Sequence, residues 1–137
     1  VYSPLIGDGA ADSMVAFEKM EAVRYASFLK PDGVAVINDY EIASATIAAG
    51  QFEYPAGCLE AMQKTFRVFS LKAADLAISL GNPKCMNLVL FGALTHVLKL
   101  EQIDWEDVIR NTVPPKFLDL NLRAYRAGLE AAQNQSN

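Results

Sequence analysis

Residues 12–38 read DSMVAFEKMEAVRYASFLKPDGVAVIN, and this stretch decides the fold. Residues 12–17 are a short apolar run that predicts a buried strand, and residues 17–29 carry apolar side chains at the spacing of a helix. Residues 30–33 predict a turn, because proline presets φ and glycine tolerates a positive φ. Residues 34–38 are a second apolar strand. A strand, a helix, a turn and a strand within 27 residues predict a βαβ unit with parallel strands.

The rest of the chain is mostly helical in pattern. After a connection at 39–56, the sequence predicts a helix, a strand and four further helices, at residues 58–65, 67–70, 72–80, 85–100, 104–113 and 117–132. Asp104 is the predicted N-cap of its helix, and residues 133–137 predict a frayed tail. The fold class is therefore α/β: a Rossmann-like three-layer arrangement with a mostly parallel sheet and a helical C-terminal half, in one domain over residues 1–137.

The helix at 85–100 is the most apolar segment, with 11 apolar residues out of 16. A membrane-spanning helix needs about 20 such residues, and this run is interrupted by polar side chains and followed by a polar stretch. It predicts a buried helix, in which Gly92 allows the close approach of a neighbouring element.

Composition excludes several classes of partner. The chain has 16 acidic and 12 basic residues, a net charge of −4 and no basic cluster, so neither nucleic acid nor an anionic membrane surface is a predicted partner. Two cysteines cannot form a disulfide framework or ligate an iron–sulfur cluster alone. The first residues lack the pattern of a signal peptide, which predicts a cytoplasmic location. An apolar content of 52% predicts a face that is buried against another molecule.

Two groups of residues suggest ligand chemistry. Gly7-Asp8-Gly9, followed by Asn38, resembles the magnesium motif of thiamine diphosphate enzymes, but here the motif precedes a strand, and a surface turn is the favoured interpretation. Glu18 and Asn38 follow the ends of the two strands. Ligands of open α/β sheets collect at the carboxyl ends of strands, so Glu18 and Asn38 are the predicted cofactor-binding residues. The alternative is that both residues only form caps and turns.

Other motifs favour structural roles. His96 is the single histidine and lies in the apolar helix, so it predicts a core residue and excludes a multi-histidine metal site within this chain. Residues 29–37, LKPDGVAVI, resemble the helix–turn–strand segment of class I methyltransferases, but no glycine-rich loop precedes them. The residues alone therefore predict an α/β module that has no self-sufficient active site.

Three stretches taken together point further: VYSPLIGDGAADSMVAFEKMEAVRY at 1–25, LGNPKCMNLVLFGAL at 80–94 and VPPKFLDLNLRAYRAGLEAA at 113–132. In this order they resemble the gamma-type domain of 2-oxoacid:ferredoxin oxidoreductases, and most closely the beta subunits of the indolepyruvate ferredoxin oxidoreductases. Members of this family open with a strand and a GxGGxG loop. The resemblance therefore implies that the chain is the C-terminal two-thirds of such a domain.

The resemblance implies a function and a division of labour. The complex would oxidatively decarboxylate a 2-oxo acid, indolepyruvate or another aryl pyruvate, to an acyl-CoA and pass the electrons to ferredoxin. Thiamine diphosphate, iron–sulfur clusters and coenzyme A would be carried mainly by an alpha-type partner subunit. This chain would hold none of them alone and would be inactive without its partner. The resemblance keeps Glu18 and Asn38 as site-facing positions and gives Asn87 a structural role.

Two alternatives stay open at this point. The chain could be a non-catalytic scaffold or interaction module that uses the same fold, or a Rossmann-like nucleotide-binding enzyme such as a methyltransferase.

Overall fold

The computed structural model of the protein describes residues 5–43 and 45–135, and the chain divides into two compact units, Val1–Ser70 and Leu71–Asn137. The elements of the first unit, in chain order, are β1 (Ala11–Ala16), α1 (Lys19–Arg24), a 3₁₀ turn (Ala26–Phe28), β2 (Leu29–Asn38), α2 (Ala45–Ala48), α3 (Cys58–Gln63) and β3 (Arg67–Leu71), whose last residue belongs to the second unit. The strand order is β1-β2-β3. This arrangement confirms the α/β fold class.

The parallel pairing of β1 with β2 confirms the predicted βαβ unit. Ser13 pairs with Val34 and Ala16 with Ile37, so the two strands end side by side. Residues 33–38 of β2 are all buried, which is the reason for the unbroken apolar pattern of residues 34–37, since a strand inside a parallel sheet is covered on both faces. The ends of β1 and β2 therefore present their following residues at one edge of the sheet.

Two boundaries in this unit differ from the prediction. β2 begins at Leu29, which pairs with Ala11, and residues 30–33 form a bulge between this pair and the regular ladder. The chain is extended here because the residue before a proline is disfavoured in the helical region. The left-handed φ of +59° falls on Asp32 and not on the glycine after it. Since the strand begins early, α1 is short and ends at Arg24.

The second unit is helical, as predicted. Its elements are α4 (Ala73–Ser79), a 3₁₀ turn (Pro83–Cys85), α5 (Met86–Val97), α6 (Trp105–Thr112) and α7 (Pro115–Gln135). α7 continues through part of the predicted frayed tail, because no glycine or proline follows Gly128 and the buried Ala132 still packs there. Among the residues that the structure describes, no helix is long and apolar enough to span a bilayer.

α5 and α7 cross with their backbones in contact, and two glycines make this possible. A Cβ atom on Gly92 would lie 2.0 Å from the carbonyl oxygen of Tyr125, and a Cβ on Gly128 would lie 1.8 Å from that of Val89. Both positions therefore exclude every side chain other than the hydrogen of glycine. This crossing confirms the close approach that was predicted at Gly92.

The single tryptophan lies at the start of α6 and packs within the second unit. The Trp105 ring meets the Phe91 ring edge-on, with centroids 5.1 Å apart and planes at 87°, and its Nε1–H donates to the Leu100 carbonyl at 2.8 Å. The fluorescence of Trp105 therefore reports the integrity of this unit.

Asp104 caps α6, as the sequence predicts: its Oδ1 accepts from the backbone N–H of Asp107 at 3.0 Å. We expect Asp104→Ala to lower the free energy of unfolding by about 1 kcal/mol, the usual loss for a removed N-cap. Asp104→Asn is the matched control and keeps an acceptor at the same place. Urea denaturation followed by Trp105 fluorescence checks the prediction, and equal midpoints for the two variants would contradict it.

Candidate functional site

The structure brings together the two predicted site residues at the carboxyl ends of β1 and β2. Asn38 is the last residue of β2, and its Nδ2 donates to the carbonyl oxygen of Phe17 at 3.0 Å. Glu18 is the next residue after Phe17 and is the N-cap of α1. Both side chains are buried, with 3% of Glu18 and none of Asn38 exposed. Their polar groups thus lie inside the protein and make internal hydrogen bonds.

Glu18 is held by a tyrosine from a distant part of the chain. One of its carboxylate oxygens accepts from the backbone N–H of Glu21 at 2.9 Å, and the other accepts from the hydroxyl of Tyr54. The Tyr54 oxygen in turn accepts from the backbone N–H of Met20 at 3.0 Å. Tyr54 therefore fixes its own loop to the first turn of α1.

These contacts set the protonation of the pair. Burial alone would raise the pKa of Glu18, but hydrogen bonds from Tyr54 and from three backbone N–H groups outweigh burial and hold that pKa below its ordinary value. The three N–H groups belong to Glu21, Met20 and Ile42. Burial, together with the hydrogen bond to Glu18, raises the pKa of Tyr54 well above its usual range. At neutral pH the carboxylate is charged, and the proton of the pair stays on Tyr54.

Lys19 is the cation of this cluster, and it is already engaged. Its Nζ lies 2.7 Å from the Glu41 carboxylate and 3.3 Å from that of Asp39, and 5.9 Å from the centroid of the Tyr54 ring. The hydrogen bond to Glu41 is the largest of the effects that raise the pKa of Lys19. Its charge is therefore balanced by neighbouring carboxylates.

This edge does not fit a phosphate-bearing cofactor such as thiamine diphosphate or coenzyme A. A diphosphate at this edge would approach the carboxylates of Asp39 and Glu41, which already share the ammonium group of Lys19, and the buried carboxylate of Glu18 would repel it as well. Like charges at such short range repel. The cofactor-binding role of Glu18 and Asn38 stays a prediction, and the capping geometry of both residues agrees with the structural alternative.

The predicted surface turn at Gly7-Asp8-Gly9 is confirmed. The backbone N–H of Gly9 donates to the Ser27 carbonyl at 2.8 Å, and Asp8 is exposed in a turn that precedes β1. Asn38 lies at the opposite end of the strands. Within residues 5–43 and 45–135, no three His, Cys, Asp or Glu side chains are grouped as metal ligands would be.

The cysteines and the histidine make no catalytic cluster in the described part of the chain. Cys58 and Cys85 are free and buried in different units, and burial raises the pKa of both thiols, which makes them poor nucleophiles. His96 was predicted to be a core residue, but its side chain is 22% exposed and pairs with Glu101. The prediction was wrong because the side of α5 that carries His96 is partly exposed to solvent.

An apolar groove of about 490 Å³ runs beside β1. Its walls are formed by Leu5, Ile6, Ala11, Ser13, Met14 and Phe28. The side chains of Leu5 and Ile6 are 81% and 60% exposed. That this face is buried against another molecule stays a prediction, and the groove offers few polar groups to orient a small ligand.

Comparison with known proteins gives one consistent result. The family model for pyruvate ferredoxin/flavodoxin oxidoreductase matches residues 1–131. The indolepyruvate oxidoreductase subunit IorB of Thermococcus kodakarensis is 36% identical over 97% of this chain and 69% of its own length. The protein of the same name from Pyrococcus horikoshii is 34% identical over 100% and 71%.

A solved structure has the same fold. The gamma subunit of a keto/oxoacid ferredoxin oxidoreductase from Geobacter sulfurreducens superposes with a TM-score of 0.67, over 95% of this chain and 69% of that one. The sequences are 20% identical.

Proposed function

Because the chain belongs to the pyruvate ferredoxin/flavodoxin oxidoreductase family, we propose that it is a subunit of a complex that oxidatively decarboxylates a 2-oxo acid to an acyl-CoA and reduces ferredoxin. The observation that carries the proposal is the similarity to indolepyruvate oxidoreductase subunits over nearly the whole chain. For the same reason, we propose that the acid is indolepyruvate or another aryl pyruvate.

In this proposal the cofactors are held by an alpha-type partner subunit, and the chain is inactive alone. The charges at the carboxyl edge support this division, since Glu18, Asp39 and Glu41 would repel a diphosphate. The cysteine count also supports it, because an iron–sulfur cluster takes about four protein ligands and the chain has two cysteines. The part of this chain would be to complete the complex through its surfaces.

The test is an anaerobic pull-down of the tagged protein from its native cells. We expect a large iron–sulfur partner in the eluate, and coenzyme A-dependent reduction of a viologen dye when indolepyruvate is added. Pyruvate and 2-oxoglutarate are the comparison substrates, and we expect both to give slower reduction than indolepyruvate.

Two controls make the result specific to this chain. The same assay without coenzyme A should give no sustained reduction, and the tagged protein purified without its partner should be inactive with all three acids. An eluate with no partner and no activity on any of the acids would overturn the proposal, and would leave a scaffold or interaction module as the better account.

A further inference from the structure

Residues 39–60, which we name the acidic segment, carry an unbalanced charge. The segment contains four acidic residues and no lysine, arginine or histidine; the acidic residues are Asp39, Glu41, Glu53 and Glu60. The net charge of the whole chain is −4, so the other residues balance one another and the entire excess lies in this segment. It directly follows the carboxyl end of β2.

Both ends of the loop in this segment are fixed at the first turn of α1. At one end, the backbone N–H of Lys19 donates to the Tyr40 carbonyl at 3.2 Å, and its ammonium group binds Asp39 and Glu41. At the other end, Tyr54 binds Glu18. Residues 40–42 and Tyr54 are therefore held close to one turn of helix, and little conformational freedom remains at these anchors to be lost on binding.

Large apolar side chains next to these anchors face solvent. Tyr40 is 47% exposed, Ile42 58% and Phe52 68%. Exposed aromatic and aliphatic side chains on a fixed backbone are typical of the anchors of a protein interface. The carboxylates of Glu53 and Glu60, which we name the acidic rim, are exposed as well. The Glu41 carboxylate is also exposed but is paired with Lys19.

We propose that the acidic segment is the docking surface for the partner subunit, whose matching surface is an apolar depression rimmed by lysine and arginine side chains. This inference rests on the proposed function, which supplies the partner. Charge complementarity carries the choice of occupant: an acidic rim attracts a basic one and repels the phosphates of coenzyme A or thiamine diphosphate. Opposite charges also speed the encounter of the two subunits and make their affinity fall as salt rises.

The first test reverses the charge of the rim. Glu53 and Glu60 are exposed, and the double variant Glu53→Lys/Glu60→Lys should weaken binding to the separately purified partner subunit by about tenfold or more at low salt. The affinity of the wild-type protein should fall as the sodium chloride concentration rises, and the affinity of the double variant should not. The matched control is Asp75→Lys/Glu130→Lys, which makes the same change in net charge at exposed positions of the second unit and should bind within about twofold of wild type.

The second test removes an apolar anchor. Ile42 and Ile78 are 58% and 59% exposed, so Ile42→Ser and Ile78→Ser change equally exposed isoleucines inside and outside the segment. Ile42→Ser should weaken binding by about tenfold and leave its salt dependence unchanged, and Ile78→Ser should bind like wild type. Circular dichroism of each variant shows whether it is folded, since exposed substitutions of this kind change stability little.

The outcomes separate this inference from the proposed function. If wild type binds its partner and the complex is active, but the segment variants bind as tightly as wild type, the docking surface is overturned and the function stands. Variants that assemble normally and only raise the KM for coenzyme A or ferredoxin would also overturn it, because the segment would then face a different ligand. A wild-type protein that binds no partner overturns both proposals.

Discussion

Gly128→Ala is expected to lower the free energy of unfolding of the second unit by about 2 kcal/mol. The new methyl carbon would lie 1.8 Å from the carbonyl oxygen of Val89 and 2.6 Å from its carbonyl carbon. The atoms in the way are backbone atoms, so no rotation of a side chain relieves the clash. α5 and α7 must move apart, and the packing on both sides of the crossing is lost.

An opposing effect has to be weighed against this clash. Alanine is a better helix former than glycine by about 1 kcal/mol, and in an exposed helix the same change would be stabilising. Overpacking costs about 1–3 kcal/mol, occasionally more. The cost at Gly128 lies at the upper end of this range, because the new methyl group would meet the backbone of Val89. The cost of the clash is therefore larger than the gain in helix propensity. Gly92→Ala should behave alike, since its methyl carbon would lie 2.0 Å from the Tyr125 oxygen.

Urea denaturation followed by Trp105 fluorescence measures these losses. The matched control is Gln133→Ala on the exposed face of α7, which should change the free energy of unfolding by about 0.5 kcal/mol or less. The double variant Gly92→Ala/Gly128→Ala should lose less than the sum of the single losses, because one separation of the helices relieves both clashes. A Gly128→Ala protein as stable as wild type would show that the helices do not touch here.

Glu18→Ala is expected to cost about 2 kcal/mol in the first unit. The substitution removes the N-cap of α1, which contributes about 1 kcal/mol. It also leaves the Tyr54 hydroxyl without its acceptor, at a further cost of about 1 kcal/mol, the low end of the usual range because the hydroxyl is only half-buried. Hydrogen exchange is the suitable measurement: the amides of Met20 and Glu21 should exchange about 30-fold faster, the ratio that 2 kcal/mol corresponds to. Glu18→Gln keeps an oxygen acceptor and should lose much less.

The contribution of Glu18 should also depend on pH. Its pKa in the folded protein lies below the ordinary value, so the unfolded chain holds the proton more tightly than the folded protein does. The stabilisation is therefore complete above the glutamate pKa of the unfolded state, about 4.3, and is lost as pH falls through the lower pKa of the folded state. Wild type should approach Glu18→Gln in exchange rates only in that acidic range. A constant ratio of the two rates from neutral to acidic pH would contradict this assignment.

The sequence predicted the parts of this fold that depend on periodic patterns. The two apolar strands and the helix between them follow from the spacing of apolar residues, and the position of Glu18 and Asn38 at one edge follows from the geometry of parallel strands. The start of β2 could not be predicted, because the bulge at residues 30–33 interrupts the pattern and only the pairing of Leu29 with Ala11 extends the strand.

The hydrogen-bond partners at the site could not be predicted from the sequence either. Tyr54 contacts Glu18 across 36 positions of chain, and it lies in a connection with no periodicity that could place it. The feature of that connection that the sequence does show is its excess of acidic residues, since charge is read directly from sequence. This excess does not show where the tyrosine lies. The same holds for the crossing of α5 and α7: Gly92 indicated a close approach, but the sequence did not pair it with α7.

Among the strands that the structure describes, β1 lies at the outside of the strand order, and this position has a consequence for aggregation. An outer strand is a template for the strands of other molecules, and here it is bordered by the apolar side chains of Leu5 and Ile6. Two solvated charges lie at this outer strand. Asp12 on β1 forms an ion pair with Lys30, and their side chains are 81% and 48% exposed. The hydrogen bond from Lys30 lowers the pKa of Asp12, so the carboxylate keeps its charge in mild acid and continues to oppose the stacking of one molecule onto the next.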